Sequence, residues 1–148
     1  MPRQRRSDLP DGVYHVTARG VARELIFIDD DDRRAFLRLL ADAVARQQWH
    51  THAFCLLGTH YHLIVSTTRA RLSKGLHRLN TIYAQHFNRR HGRRGHVFGD
   101  RFASWVIDED EHLAAACLYV LENPVRAGLC ERAEDWRWSG VKNVRSIL

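Results

Sequence analysis

The segment Leu56-Leu57-Gly58-Thr59-His60-Tyr61-His62-Leu63-Ile64-Val65 sets two histidines one residue apart between apolar runs. In a strand, side chains alternate faces, so His60 and His62 project from one side while Tyr61, Leu63 and Val65 project from the other. Two imidazoles on one face can share a metal ion. Alone, such a pair is more often simply exposed or hydrogen-bonded, so the reading depends on what else reaches that face.

A second set of groups lies far along the chain. Leu113, Ala116, Cys117 and Val120 form an apolar stripe at helical spacing, and a 100° step per residue puts Tyr119 and Asn123 together on its flank. Four residues apart, they are neighbours on the helix surface, with His112 near the same line. If this helix crosses the face of the two histidines, a phenol hydroxyl and an amide oxygen arrive beside them. Singly, Tyr119 also reads as a rim aromatic and Asn123 as a helix-terminal cap before Pro124.

The elements that must position these groups follow from pattern. Gly12 to Ala18 reads as a strand ending at Gly20, and a helix is expected from about Asp30 to Gln47. The run Asp29 to Asp32 resembles a cation site, but it immediately precedes apolar residues at helical spacing and is read as a helix N-terminal cap. Strands over His50 to Leu57 and His60 to Ser66, joined at Gly58-Thr59, make a hairpin. A second helix spans about Leu72 to Asn88, a fourth strand Phe102 to Ile107, and a third helix Glu109 to Glu122, stopped where Asn123 precedes Pro124. The order spells a ferredoxin-like split βαββαβ antiparallel sheet of the α+β class, with an added C-terminal helix. Its two helices cover one face. His15, Thr17, His60 and His62 are then candidates for the open one, which the third helix can cross.

The 148 residues read as a single domain over 1–148. Lys and Arg outnumber Asp and Glu by 23 to 17, and nearly all the cations are arginine, whose planar fork suits phosphate. They cluster as Arg3, Arg5 and Arg6, as Arg69, Arg71, Lys74 and Arg78, and as Arg89, Arg90, Arg93 and Arg94, the last two sets being candidates for DNA binding. Cys55, Cys117 and Cys130 are odd in number and widely spaced, which suggests small buried apolar residues and no disulfide framework. No stretch approaches the roughly 20 apolar residues of a membrane span, and no apolar segment follows Met1 to Ser7, so a cytoplasmic protein with no membrane partner is expected.

These motifs resemble the REP-associated tyrosine transposases, relatives of the single-strand-transferring insertion-sequence transposases of the HUH superfamily. The resemblance runs through Asp11 to Gly20, His60-Tyr61-His62, Tyr83 to Gly92, Gly95 to Phe102 and Tyr119 to Leu129. It implies that His60 and His62 are metal ligands, that Tyr119 is the nucleophile, and that Asn123 is the third ligand. Glu122 stands where many relatives have an apolar residue, and Gly58-Thr59 replaces a more polar lead-in to the histidines. Against longer relatives, no additional C-terminal DNA-binding domain is expected after Trp136-Arg137-Trp138-Ser139.

A tyrosine hydroxyl, with an ordinary pKa near ~10, is a poor nucleophile at neutral pH, so the target phosphate must be made more electrophilic. A divalent ion, Mg²⁺ or Mn²⁺, would do this. The resemblance implies a covalent 5′-phosphotyrosyl–DNA intermediate on single-stranded DNA next to a hairpin, by a monomer or homodimer. Trp105, Phe98 or Tyr83 could stack on bases if exposed. The rival readings are a non-catalytic nucleic-acid-binding module derived from a transposase and a hydrolase in which water replaces the tyrosine.

Overall fold

The computed structural model describes residues 11–108 and 110–141. Arg3, Arg5, Arg6 and the expected helix start at Glu109 lie outside them. The chain folds as β1 Gly12–Arg19, α1 Asp30–Gln47, β2 His50–Leu56, β3 His60–Thr67, α2 Arg69–His91, β4 Ala103–Ile107, α3 Asp110–Arg126 and β5 Ser139–Val141. The sheet order is β4-β1-β3-β2-β5, and each neighbouring pair is antiparallel. The first six elements are the expected split βαββαβ unit.

Local chemistry sets the helix ends. The Asp29 carboxylate accepts from the Asp32 backbone N–H at 3.0 Å, and the Asp32 carboxylate accepts from the Ile28 N–H at 2.9 Å, so the acidic run is a reciprocal cap of α1. Thr68 caps α2 in the same way, and Gly92 ends it at a φ of 60°, a left-handed conformation that glycine adopts without steric cost. Both caps lie outside the apolar stripe, which is why α2 is longer at each end than the expected Leu72 to Asn88.

Alternation along the strands builds two cores on one sheet. Tyr14, Val16, Tyr61, Leu63, Val65, Phe54 and Leu56 pack against Phe36, Leu37 and Leu40 of α1 and Leu72, Leu76, Leu79, Tyr83 and Phe87 of α2. On the other face, Ala53, Cys55, Leu57 and Ile64 are covered by Val120 of α3, with Leu113, Ala116 and Cys117 alongside. Cys55 is buried, but Cys117 and Cys130 are only half-buried, a correction to the reading of all three as buried; all are free thiols.

Two features depart from the expected pattern. The third helix does not stop at Asn123 but runs through Pro124 to Arg126. Pro124 removes one backbone donor, but it is buried, as Val120 one turn earlier is. The helix then closes through Ala127 N–H to Asn123 O at 2.9 Å and Leu129 N–H to Pro124 O at 2.9 Å, at Gly128 with φ of 73°. β5 was not expected at all. It covers the β2 edge, with Leu56 N–H donating to Trp138 O at 2.8 Å and Trp136 Nε1 donating to Leu56 O at 3.0 Å.

Candidate active site

The face opposite α1 and α2 is read in rows across the strands. Trp105 of β4 pairs with His15 of β1, Ala103 with Thr17, Thr17 with His62 of β3, and Arg19 with His60. α3 covers the β2 side of this face and its Val13 and Ile107 end. Beyond that cover, Trp105 and Arg19 are exposed and His15 and His60 half-buried, while Thr17 and His62 are buried.

The two histidines lie as the alternation predicts, on one face, with ring centroids 5.1 Å apart. His62 is buried, and both its nitrogens are engaged: Nδ1 lies 3.0 Å from His15 Nε2, and Nε2 lies 2.7 Å from Asn123 Nδ2. An amide nitrogen can only donate, so with the amide in this orientation Nε2 of His62 carries the lone pair. Nδ1 then carries the proton, which His15 Nε2 accepts. Burial pushes His62 down to about 3, helped by the neighbouring His60 and His15 and by the positive charges of Arg19 and Arg126. Burial and Arg19 push His60 down to about 4, and burial lowers His15. At neutral pH these imidazoles are uncharged, the form that can coordinate a cation.

Tyr119 is half exposed on α3, with its ring 6.2 Å from that of His62 and 6.1 Å from that of His15. The Arg126 guanidinium lies 4.1 Å from the centroid of the Tyr119 ring and also donates to the Tyr119 carbonyl. Tyr119, Asn123 and Arg126 therefore form one line along α3 because the helix continues past the proline. His112 is exposed two turns earlier.

Thus the fold brings together His60, His62, Tyr119 and Asn123, from segments more than fifty residues apart. Among the described residues no three His, Cys, Asp or Glu side chains form a cluster that could hold a metal ion. A cation here would therefore take the Asn123 amide as a donor beside the two imidazoles.

The arginine-rich segments are divided. α2 starts at the far end of β3 and returns towards His60, so Arg69, Arg71, Lys74 and Arg78 begin roughly 30 Å from Arg89 at 1.5 Å per residue. Arg71 donates to Gln48 at 2.9 Å, the Arg69 backbone N–H donates to the Asp11 carboxylate at 3.0 Å, and Arg78 lies 3.9 Å from Asp42. Arg90 binds Asp29 at 2.6 Å and the fully buried Asp32 at 2.8 Å, and Arg93 pairs with Glu24. Arg89, Arg94 and Lys74 are exposed, with no carboxylate partner among the described residues.

Sequence reasoning missed two cations at the site. Arg19 lies on the open face by the same alternation that places His15 and Thr17, and extending that period two residues further would have found it. Arg126 was hidden by the assumed helix stop. Of the candidate stacking aromatics, Tyr83 is fully buried, Phe98 is half-buried and Trp105 is 53% exposed.

The fold resembles solved structures. A REP-associated tyrosine transposase bound to a REP hairpin matches with a TM-score of 0.70 at 18% identity, covering 94% of this chain and 82% of that one. A Deinococcus radiodurans R1 protein assigned as a transposase matches with a TM-score of 0.50 at 17% identity, covering 83% of this chain and 97% of that one. No curated protein matches the sequence. The sequence profile of the family described as "Transposase IS200 like" matches residues 9–123, which include β1, both histidines, α2, Tyr119 and Asn123. The chain belongs to the IS200-like transposase family.

Proposed function

We propose that this transposase is a metal-dependent single-stranded DNA endonuclease and strand transferase in which Tyr119 is the nucleophile and residues 1–148 act as one catalytic domain. The observation that carries the reading is the convergence of Tyr119 and Asn123, from one helix, on His62. Structural likeness to a transposase bound to a REP hairpin supports single-stranded DNA beside a hairpin as the substrate class.

His60, His62 and the Asn123 amide, two neutral nitrogen donors and one oxygen donor after amide rotation, suit Mn²⁺ and admit Mg²⁺. When bound, such an ion polarises a non-bridging oxygen of the scissile phosphate and neutralises developing charge. Asn123 aligns α3 with the histidine strand, and His15 fixes His62 in the tautomer whose Nε2 carries the lone pair, available to an ion once the Asn123 amide rotates. Arg126 holds the Tyr119 ring, while Arg19 and Arg126 bring positive charge to either side of the imidazoles. Tyr119 Oη forms the new P–O bond as its proton departs, and the 3′-oxygen leaves with the electrons of the broken bond and takes up a proton. A 5′-phosphotyrosyl link and a free 3′-hydroxyl result, and rejoining needs no ATP because the ester energy is retained.

The reading is tested by incubating the protein with Mn²⁺ and a labelled library of single-stranded hairpins, then sequencing the DNA that stays attached after denaturation. Adducts carrying DNA through its 5′-phosphate, next to hairpins, are expected. Cleavage with two free DNA ends would point to the hydrolase, and no cleavage with any hairpin to the binding module.

A further inference from the structure

His60 opens β3 directly after the turn at Gly58-Thr59, and its ring is met from that turn: Nδ1 of His60 lies 3.1 Å from the Thr59 hydroxyl. Successive side chains of an extended strand point to opposite faces, so the contact depends on Thr59 lying in the turn, outside β3. The turn has a fixed shape. Leu57 N–H donates to His60 O at 3.0 Å, Gly20 N–H donates to Thr59 O at 2.8 Å, and Gly58 O accepts from the Ile26 N–H at 2.9 Å and the Phe27 N–H at 3.1 Å. The segment that supplies those donors is itself held in a costly conformation. Ala22 and Arg23 are left-handed, with φ of 50° and 59°, and a Cβ on Gly20 would collide with the Glu24 carbonyl oxygen. Such strain persists only where the surroundings over-determine it. Here Val21 N–H donates to Val97 O at 2.9 Å and Gly99 N–H to Arg19 O at 3.0 Å, which fixes the segment on its other side.

We propose that Thr59 is a positioning residue for the cation site: its hydroxyl accepts the Nδ1 proton of His60 and leaves Nε2 as the lone pair offered to the ion. It rests on the reading of His60 and His62 as ligands. A neutral imidazole has one donor nitrogen and one acceptor nitrogen, and the partner of one fixes the role of the other. At His62 that partner is His15, which faces Nδ1 at 3.0 Å and leaves the lone pair on Nε2. Thr59 faces the same nitrogen of His60, so the two rings, with centroids 5.1 Å apart, present the same atom. A hydroxyl can donate or accept, and accepting is the role compatible with an Nε2 ligand. Among the described residues the Thr59 hydroxyl is the group hydrogen-bonded to the His60 ring. Without it the ring is free to turn about its Cβ–Cγ bond or to carry its proton on Nε2, and either change removes the donor. The strained, fully bonded loop from Gly20 to Phe27 thus has a use, because it fixes the turn from which Thr59 reaches the ring.

The test uses the full chain in two measurements: nitrogen-15 NMR of the histidine rings in metal-free protein near neutral pH, and calorimetric titration with MnCl₂. The His60 ring, assigned by its loss in His60→Ala, should carry its proton on Nδ1. Thr59→Val keeps the shape of the side chain without the hydroxyl. It should abolish that preference and weaken Mn²⁺ binding by about tenfold or more, while the urea midpoint stays that of the parent. Thr59→Ser restores the hydroxyl, and should recover the tautomer and bring Mn²⁺ affinity to within about threefold of the parent. Should Thr59→Val not fold, Thr59→Ala makes the same comparison. A proton on Nε2 of His60 in the parent, or Thr59→Ser behaving as Thr59→Val, overturns the proposal. Weakened Mn²⁺ binding in His60→Ala with none lost in Thr59→Val sinks the proposal alone, whereas no loss in either sinks the ligand reading with it.

Discussion

The amide nitrogen of Asn123, on α3, lies 2.7 Å from Nε2 of His62, on β3, so one contact ties the helix carrying Tyr119 to the strand carrying the two histidines. Asn123→Ala should reduce Mn²⁺ affinity by at least about tenfold, as loss of a group beside a ligand does elsewhere. Asn123→Asp, which offers an anionic oxygen, should hold the ion at least as tightly as the parent. Isothermal titration with MnCl₂ reads both. Unchanged affinity in the alanine variant would remove Asn123 from the donor set.

The docking of α3 can be followed at a thiol. Cys55 is fully buried against the same cluster as Val120, and burial pushes it up to about 12. Since the thiolate is the reactive form, iodoacetamide at pH 8 should modify the half-buried Cys117 and Cys130 while leaving Cys55 intact. Val120→Ser, which loosens the helix from the sheet, should accelerate Cys55 labelling in peptide mass maps. Rapid labelling of Cys55 in the parent would mean that α3 does not stay docked.

Gly75 lies inside α2, where alanine would favour the helix by about 1 kcal/mol. A Cβ at that position would meet Trp49 Cζ2 at 2.3 Å, and the ring is buried. Overpacking of this kind costs about 1–3 kcal/mol, so Gly75→Ala should leave stability unchanged or lower it by up to about 2 kcal/mol in urea unfolding. A clear stabilisation would show that Trp49 can move aside.

Much of this arrangement was legible in the sequence because period-two alternation and helical stripes have a single solution here. His60 and His62 share a face because Tyr61, Leu63 and Val65 must be buried, and Tyr119 and Asn123 flank a stripe that must cover what the helices leave bare. Arg126 was not legible, since a proline ordinarily ends a helix, and only packing against the sheet shows that this one continues. Nor was β5 legible: three residues, Ser139–Val141, carry no periodic signal, and their strand exists because β2 has an open edge. The basic clusters were visible as composition, but the buried Asp32 that holds Arg90 could be recognised only in three dimensions.

Acid sensitivity should be traceable to the cap of α1. Bonds from Arg90 and from the Asp32 N–H hold Asp29 down to about 2, below its ordinary value of 3.8. A depressed carboxylate contributes stability above its unfolded pKa and loses it as pH falls through the folded one, here between about pH 4 and pH 2. Asp29→Asn keeps a cap oxygen but not the charge. Its destabilisation in urea titrations should therefore be present at pH 5 and fade towards zero by pH 2. A difference constant across that range would separate the Arg90 pair from the stability it is credited with.

The central claim is that Tyr119 Oη makes the bond to DNA, and peptide mass spectrometry of the denatured, nuclease-trimmed adduct tests it most directly. The account predicts a nucleotide attached to the peptide containing Tyr119, and no adduct from Tyr119→Phe, a variant that keeps the ring against His15 and His62 and should still fold and bind DNA. An adduct on any other residue, or one that survives Tyr119→Phe, would contradict it.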